Sequence, residues 1–349
     1  MVWRRSARTI RKREASTRSR RFERRLTRRT FFLPVGTVLI AVALGGVHAA
    51  CNRPATDAGT PGRGRIAFVM KTLNHPFFLD MKRGAEEAAN RLGLDLVVQA
   101  AERELDVEKQ TQIIENLIQT GVKALCVTPS GSKEVVSVLA KATRAGIPIV
   151  IADTRVDPDA AAAANVKLGT FVGSDNYEGG RLAGEFLLQS TDGRARVAIL
   201  EGIPGHETGD SRLRGFRDAV ARAPGVTIVA SQPANWERDQ GFTVFQNMLQ
   251  AHPDIDALFA ANDLMALGAV EAIAATNRTG KVRVIGFDAL DDARAAIEAG
   301  RMAASVAQSP RDMGRLAVES ADRLIRGETV PADQTVPIVL VTKTSTEGR

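Results

Sequence analysis

From Arg65 onward, short apolar runs rich in Val, Ile and Ala alternate with segments whose apolar residues recur at helical spacing, and this alternation leaves few architectures open. Ten runs read as strands: 65–70, 95–99, 124–128, 148–152, 170–173, 196–200, 227–231, 257–260, 282–287 and 303–307. They read as continuous apolar runs more than as alternation, as expected of parallel strands covered by helices on both faces. Between the first two, Phe78, Met81, Ala85, Ala88 and Leu92 share one helical face, and Gly93, Gly121, Gly146 and Gly300 end helices. The winding predicts an α/β protein with two doubly wound parallel-sheet lobes joined by hinge strands. The expected boundaries are 65–174 with 309–335 for the N-terminal lobe and 175–308 with 336–349 for the C-terminal lobe. One interruption, Thr154 to Gly169, is long enough to be functional or to mark a passage between lobes.

The net charge of +7 over 349 residues suggests a nucleic-acid partner until its placement is read. Residues 1–30 hold 13 of the 47 Lys and Arg but 2 of the 40 Asp and Glu, so the head carries +11 and the remaining 319 residues −4. The head runs into "FFLPVGTVLIAVALGGV", uncharged from Phe31 to Val47, and then "HAAC". A cationic stretch, an apolar segment and small residues make residues 1–50 a signal or membrane-targeting segment, followed by a Pro/Gly linker over 51–64. "TRRTFF" fits a twin-arginine export pattern, with chance adjacency in an Arg-rich segment and the general secretion route as the alternatives. Cys51 is a candidate lipidation site, although His48 stands where an aliphatic residue is usual; simple cleavage and an uncleaved anchor are the alternatives. The expected location is periplasmic or extracytoplasmic. The other cysteine, Cys126, lies inside a strand run and reads as a buried, inert thiol.

In doubly wound sheets, ligands bind beyond the carboxyl ends of the strands. Here those ends carry "KTLNHPFF", "ADT", "GIPGHETGDSRLRGF", "QPANWER", "AANDLMALGA", "GFDALDD" and "AQSP". A sugar presents apolar C–H faces and a rim of hydroxyls, so its receptor needs flat aromatic surfaces beside groups that donate and accept hydrogen bonds in pairs. Phe77, Phe78 and Trp236 supply the surfaces, and Asp153, Arg212, Asn262, Asp288 and Gln308 the rim; Lys71 and His75 stand beside them. Helical spacing puts Phe78 on the core stripe and leaves Phe77 the purer ligand surface. Asp263 reads as a helix N-cap, and His206 as a loop or surface residue. Lys71 and Arg212 balance Asp153 and Asp288, which favours a neutral polyol over a sugar phosphate.

Residues 65–345 resemble, nearly end to end, the periplasmic binding proteins for ribose and allose, relatives of the ligand-binding domain of lactose-repressor-type regulators. "TLNHPFF", "ASQPANWERDQG", "FAANDLMALGA", "VIGFD" and "SVAQSP" carry the resemblance together. It implies sugar contacts at Phe77, Phe78, Asp153, Arg212, Trp236, Asn262, Asp288 and Gln308. The chain departs from the ribose binder's pattern at Lys71 and His75, near Thr128 and at Thr154. Lys71, Trp236 and the segment after Asp153 look more like the allose binder, and His75 fits neither. The resemblance further implies hinges near 174–176, 308–310 and 336–337, a monomer, and delivery of a neutral monosaccharide to the membrane permease of an ABC importer.

No enzyme signature, cofactor or metal site is expected: there is no phosphate-cradling turn, no nucleophile elbow, and no two His at ligand spacing. Two competing functions remain. A DNA-binding regulator would need an apolar-cored helix-turn-helix, for which residues 1–30 offer almost no apolar residues. A sensor passing the closed form to a membrane kinase or chemoreceptor has the same sequence signature as a transport receptor.

Overall fold

The computed structural model describes residues 64–346. The expectations for the targeting segment, Cys51 and nearly all of the linker fall outside them. Among the described residues the strands run β1 (Ile66–Thr72), β2 (Leu96–Ala101), β3 (Ala124–Val127), β4 (Ile149–Ala152), β5 (Thr170–Gly173), β6 (Arg194–Glu201), β7 (Gly225–Pro233), β8 (Ala257–Ala260), β9 (Arg283–Asp288), β10 (Ala304–Ala307), β11 (Asp333–Thr335) and β12 (Val339–Thr342). They form two six-stranded sheets, ordered β11-β5-β4-β3-β1-β2 and β12-β10-β9-β8-β6-β7. Every pairing is parallel except that of β12 with β10.

Among the described residues the helices are α1 (Pro76–Leu92), α2 (Val107–Gln119), α3 (Val136–Arg144), α4 (Pro158–Ala163), α5 (Asn176–Ser190), α6 (Glu207–Val220), α7 (Arg238–Ala251), α8 (Asp263–Ala275), α9 (Asp291–Glu298), α10 (Pro310–Ile325) and the single turn α11 (Lys343–Thr346). The chain leaves the first sheet after Gly173, returns after Ala307, and leaves again after Thr335. The interruption after β4 is not a passage between halves. It holds the short α4 and returns to β5 in the same sheet.

Successive strand residues face opposite sides of a sheet, so each sheet separates two cores. Phe68 and Met70 of β1 pack with Met81, Cys126, Val150 and Val318 on one side. Ala67 and Val69 pack with Ile114, Leu125, Leu139 and Ile151 on the other. The second sheet repeats the plan, with Leu200, Phe245, Leu258 and Met265 on one face and Ile199, Phe216, Phe259 and Phe287 on the other. Fully burying a Phe or Leu is worth about 1.5–3 kcal/mol each, so these four layers are the main stabilising term.

Three helix pairs cross so closely that each partner contributes a glycine. A Cβ on Gly84 of α1 would lie 1.9 Å from the Arg311 carbonyl oxygen, and one on Gly314 of α10 would lie 1.9 Å from that of Met81. Gly180 and Gly215 do the same for α5 and α6, against the backbones of Arg212 and Tyr177. Gly241 and Gly268 do so for α7 and α8, against Met265 and Arg238. Helix propensity alone would reward Gly→Ala by about 1 kcal/mol, whereas overpacking against backbone costs about 1–3 kcal/mol or more. At 1.9 Å the second effect wins. Gly84→Ala and Gly314→Ala are each expected to lower the thermal midpoint, checked by circular dichroism melts; an unchanged or raised midpoint in both would remove the close-crossing account.

Candidate functional site

The carboxyl ends of both sheets face one chamber. Its walls are Lys71, His75, Phe77, Phe78, Glu104 and Asp153 from the first half, and Arg212, Trp236, Asn262, Asp288 and Gln308 from the second or its boundary. All ten residues singled out from the sequence lie there, together with Glu104, which was not anticipated. The chamber is drawn nearly shut, with a cavity volume of about 30 Å³. A monosaccharide ring enters only if the halves part. A larger groove of about 840 Å³ lies alongside, walled by apolar residues including Leu105, Val156, Leu168, Phe171 and Ile203. It lacks the chamber's buried ion pairs.

Local backbone features aim the polar groups. Lys71 is the extra residue where the register of β1 on β2 shifts between Met70 and Thr72, and a bulge re-aims the side chain it carries. Asp153, Trp236 and Asp288 all have positive φ, at 65°, 69° and 106°. For residues with a Cβ such angles cost of order 1–3 kcal/mol and persist only where the surroundings enforce them. Around Asp288 the enforcement is visible. Asp263 is fully buried, its carboxylate accepting from Ser305 Oγ at 2.7 Å and from Leu290 N at 2.8 Å, while Ser305 Oγ accepts from Ala289 N at 3.0 Å. Burial holds the Asp263 pKa well above the usual carboxylate range.

This corrects the helix-cap expectation by one residue. Asn262 caps α8, its Oδ1 accepting from Met265 N at 2.9 Å, and its Nδ2 donates to the Trp236 carbonyl at 3.1 Å. Asp263 instead braces the loop that carries Asp288. Trp236 lies flat on Gly202: a Cβ there would fall 2.0 Å from the indole. The indole is 5% exposed, and its Nε1, like Gln308 Oε1, is buried with no hydrogen-bond partner among the described residues.

The charged groups pair across short gaps. Lys71 Nζ is 3.3 Å from Asp153 Oδ2 and 3.7 Å from Glu104 Oε2. Arg212 Nη1 is 3.7 Å from Asp288 Oδ1, which also accepts from Gln308 Nε2 at 2.8 Å. The Arg212 guanidinium is fixed by Asn176 Oδ1 at 2.9 Å and the Ala261 carbonyl at 2.8 Å, and it sits over the Phe287 ring, 3.8 Å from the centroid. Burial pushes Glu104 up to about 7 against the pull of Lys71, and Asp288 up to about 6 against that of Arg212.

His75 is the N-cap of α1. Its Nδ1 accepts from Phe77 N at 3.1 Å, so the ring is neutral there, and burial with Lys71 nearby lowers its pKa to about 4. Phe77 and Phe78 do not divide into ligand surface and core residue. Both are buried in the same core cluster, both line the chamber, and their rings meet edge to face at 5.3 Å. His206 is no surface residue either: it is 5% exposed at the head of α6, with its pKa lowered to about 4 by burial. Cys126 is buried in β3, and burial raises its pKa, which matches an inert thiol.

A family model described as a periplasmic binding protein domain matches residues 66–329. The chain is 38% identical over 289 residues to the ribose import binding protein of Bacillus subtilis (strain 168), covering 82% of this chain and 90% of that one. It is 36% identical over 277 residues to the D-allose-binding periplasmic protein of Escherichia coli (strain K12), covering 79% and 89%. Among solved structures it is similar to an ABC transporter periplasmic solute binding protein from Actinobacillus succinogenes 130z with bound D-allose, at TM-score 0.77 and 39% identity, covering 82% of this chain and all of that one. Two wound sheets facing one chamber and a family match spanning nearly all of both place the chain in the periplasmic binding protein family, alongside its ribose- and allose-binding members.

Proposed function

We propose that this protein is an extracytoplasmic receptor that captures a neutral, ribose- or allose-like monosaccharide between two lobes and delivers it to the permease of an ABC-type sugar importer. The observation that carries the reading is the composition of the chamber. Paired, buried ionised groups from both halves stand beside aromatic faces, with two buried polar atoms, Trp236 Nε1 and Gln308 Oε1, still lacking partners. A hydroxyl both donates and accepts, so a polyol can satisfy an indole N–H and an amide oxygen at once. The similarity to ribose- and allose-binding relatives supports the same ligand class.

The lobes turn on the three crossings after Gly173, Ala307 and Thr335. Ligand contacts to both lobes favour the closed form, which is the form the permease would recognise. A hydrogen bond to an ionised group is worth about 1.5–3 kcal/mol, so a handful reach micromolar binding after the ordering costs of association. Lys71, His75, Phe77, Phe78, Asp153, Arg212, Trp236, Asn262, Asp288 and Gln308 are the proposed contacts, with Glu104 added. Asn262 has used one Oδ1 lone pair and one Nδ2 proton internally, so it offers the sugar one donor and the second Oδ1 lone pair.

Asp288→Ala and Trp236→Ala are each expected to weaken D-ribose or D-allose binding at least about tenfold to a hundredfold, the value of one or more charged or stacked contacts, while leaving a cooperative melt. Calorimetric titration checks this, and unchanged affinity in both variants would overturn the site. Glu104 gives a second test. Folded Glu104 holds its proton up to about pH 7, whereas the unfolded group loses it near 4.5. Between those values the folded state binds more protons, so this group lowers stability as pH rises. Glu104→Gln is therefore expected to gain stability relative to the parent on going from pH 4 to pH 8, by ~3 kcal/mol; a pH-independent difference in urea-melt stability would show that Glu104 is not held protonated.

A further inference from the structure

Beside the chamber, a hydrogen-bond chain crosses from one half to the other. The Thr154 hydroxyl donates to Asp153 Oδ2 at 2.9 Å and lies 2.8 Å from the Thr208 hydroxyl. A hydroxyl has one proton. With that proton committed to Asp153, the proton in the second bond comes from Thr208. The chain therefore has a direction, from Thr208 on α6 of the second half, through Thr154, to a carboxylate of the first half that also faces Lys71 Nζ at 3.3 Å. Thr154 is 0% and Thr208 3% exposed, so water does not compete for either hydroxyl in this closed arrangement.

We propose that Thr208 and Thr154 form a closure latch that ties the joining of the two lobes to the orientation of Asp153; they act as positioning residues and do not touch the ligand. The inference rests on the sugar-receptor reading for its ligand, though not for its geometry. In the open form Thr208 moves away with the second half, and Thr154 loses this cross-lobe donor. On closure the bond re-forms in a dry interface, ends on an ionised acceptor, and polarises the Thr154–Asp153 bond, which strengthens both. Asp153 Oδ2 is then held by Thr154 and Lys71, leaving Oδ1 to receive a ligand hydroxyl. A second contact, from Glu207 N to Ser132 Oγ at 3.4 Å, seats the same end of α6 against the first half. The latch exists only when the lobes are shut, so its loss accelerates release and leaves the encounter of ligand with the open form unchanged.

The test uses the parent protein with Thr208→Val, Thr154→Val, the double variant and Thr208→Ser, titrated with D-ribose and D-allose by stopped flow and calorimetry. Val keeps the shape of Thr and cannot donate. Thr208→Val is expected to raise Kd and the dissociation rate together by about fivefold to tenfold, the value of one buried hydrogen bond, with association within about twofold. Thr208→Ser restores the parent rates, and the double variant is no worse than the poorer single one, since the residues share one chain. Unchanged dissociation in Thr208→Val, or additive losses in the double variant, would overturn the latch. If the parent binds neither sugar, the receptor reading fails on its own, and spin-label distances across the two lobes still decide the latch: ligand-free Thr208→Val must populate the open form more than the parent, and an identical distribution refutes it.

Discussion

Taking ionised side chains out of water costs several kcal/mol apiece unless partners replace the solvent, and this structure takes them out by design at one place. Lys71, Asp153, Arg212 and Asp288 are each nearly buried, and each lies within 4 Å of an opposite charge. Each pair lies within one half, so parting the halves leaves every charge with its partner. What the halves share is the space between the pairs and the cross-lobe contacts around it, including Leu290, which packs against the cores of both halves. Closure is thus set by a small number of contacts rather than by the large internal cores. A ligand that adds hydrogen bonds from both sides can shift such a balance.

The chamber's geometry depends on backbone that the rest of the fold must hold in place. Positive φ at Asp153, Trp236 and Asp288 and the bulge at Lys71 all fall where a strand ends. Such conformations persist because buried groups over-determine them. Asp263 and Ser305 fix the loop after β9, while Gln110 ties β1 to the segment after β3 by donating to the Met70 carbonyl at 3.3 Å and the Thr128 carbonyl at 2.9 Å and accepting from Ser130 N at 2.8 Å. Gly202 provides the flat floor for Trp236. These supporting residues never reach the chamber, yet without them its side chains would lose their common direction.

The ten expected strands appear within two residues of their predicted ends, because a buried parallel strand is an uninterrupted apolar run with a turn at each side. β11 and β12 were not legible. The first is three polar residues on an edge, without an apolar run; the second is as apolar as β8 but follows β11 without a helix between and pairs antiparallel, outside the βα alternation that marked the others. The chamber residues were legible as hydrogen-bonding and aromatic side chains just past strand ends. Glu104 was missed because "ERELDVEK" after β2 reads as the charged start of a surface helix, and only the folded arrangement brings it under Lys71. Asn262 and Asp263 both suit an N-cap, and a one-residue shift in where α8 begins exchanges their roles. His206 does stand in the loop before α6, but its burial was not legible, because nothing in "PGHETGD" signals that the head of α6 is covered by the other half.

The balance of charge in the chamber also limits what it accepts. Its two cations are already engaged, Lys71 by two carboxylates and Arg212 by Asp288, Asn176 and a carbonyl. An anionic ligand would have to draw one cation from its partner and leave a carboxylate buried alone, the costliest state available here. A cationic ligand would face Lys71 and Arg212 in the same small volume. A neutral polyol leaves both pairs intact, since hydroxyls take the lone pairs and protons that the pairs leave over. The neutral ring of His75, whose Nδ1 is occupied by the α1 cap, fits that balance by adding no charge. Selectivity for an uncharged, hydroxyl-rich ligand therefore follows from the internal pairing itself, before any particular hydroxyl is placed.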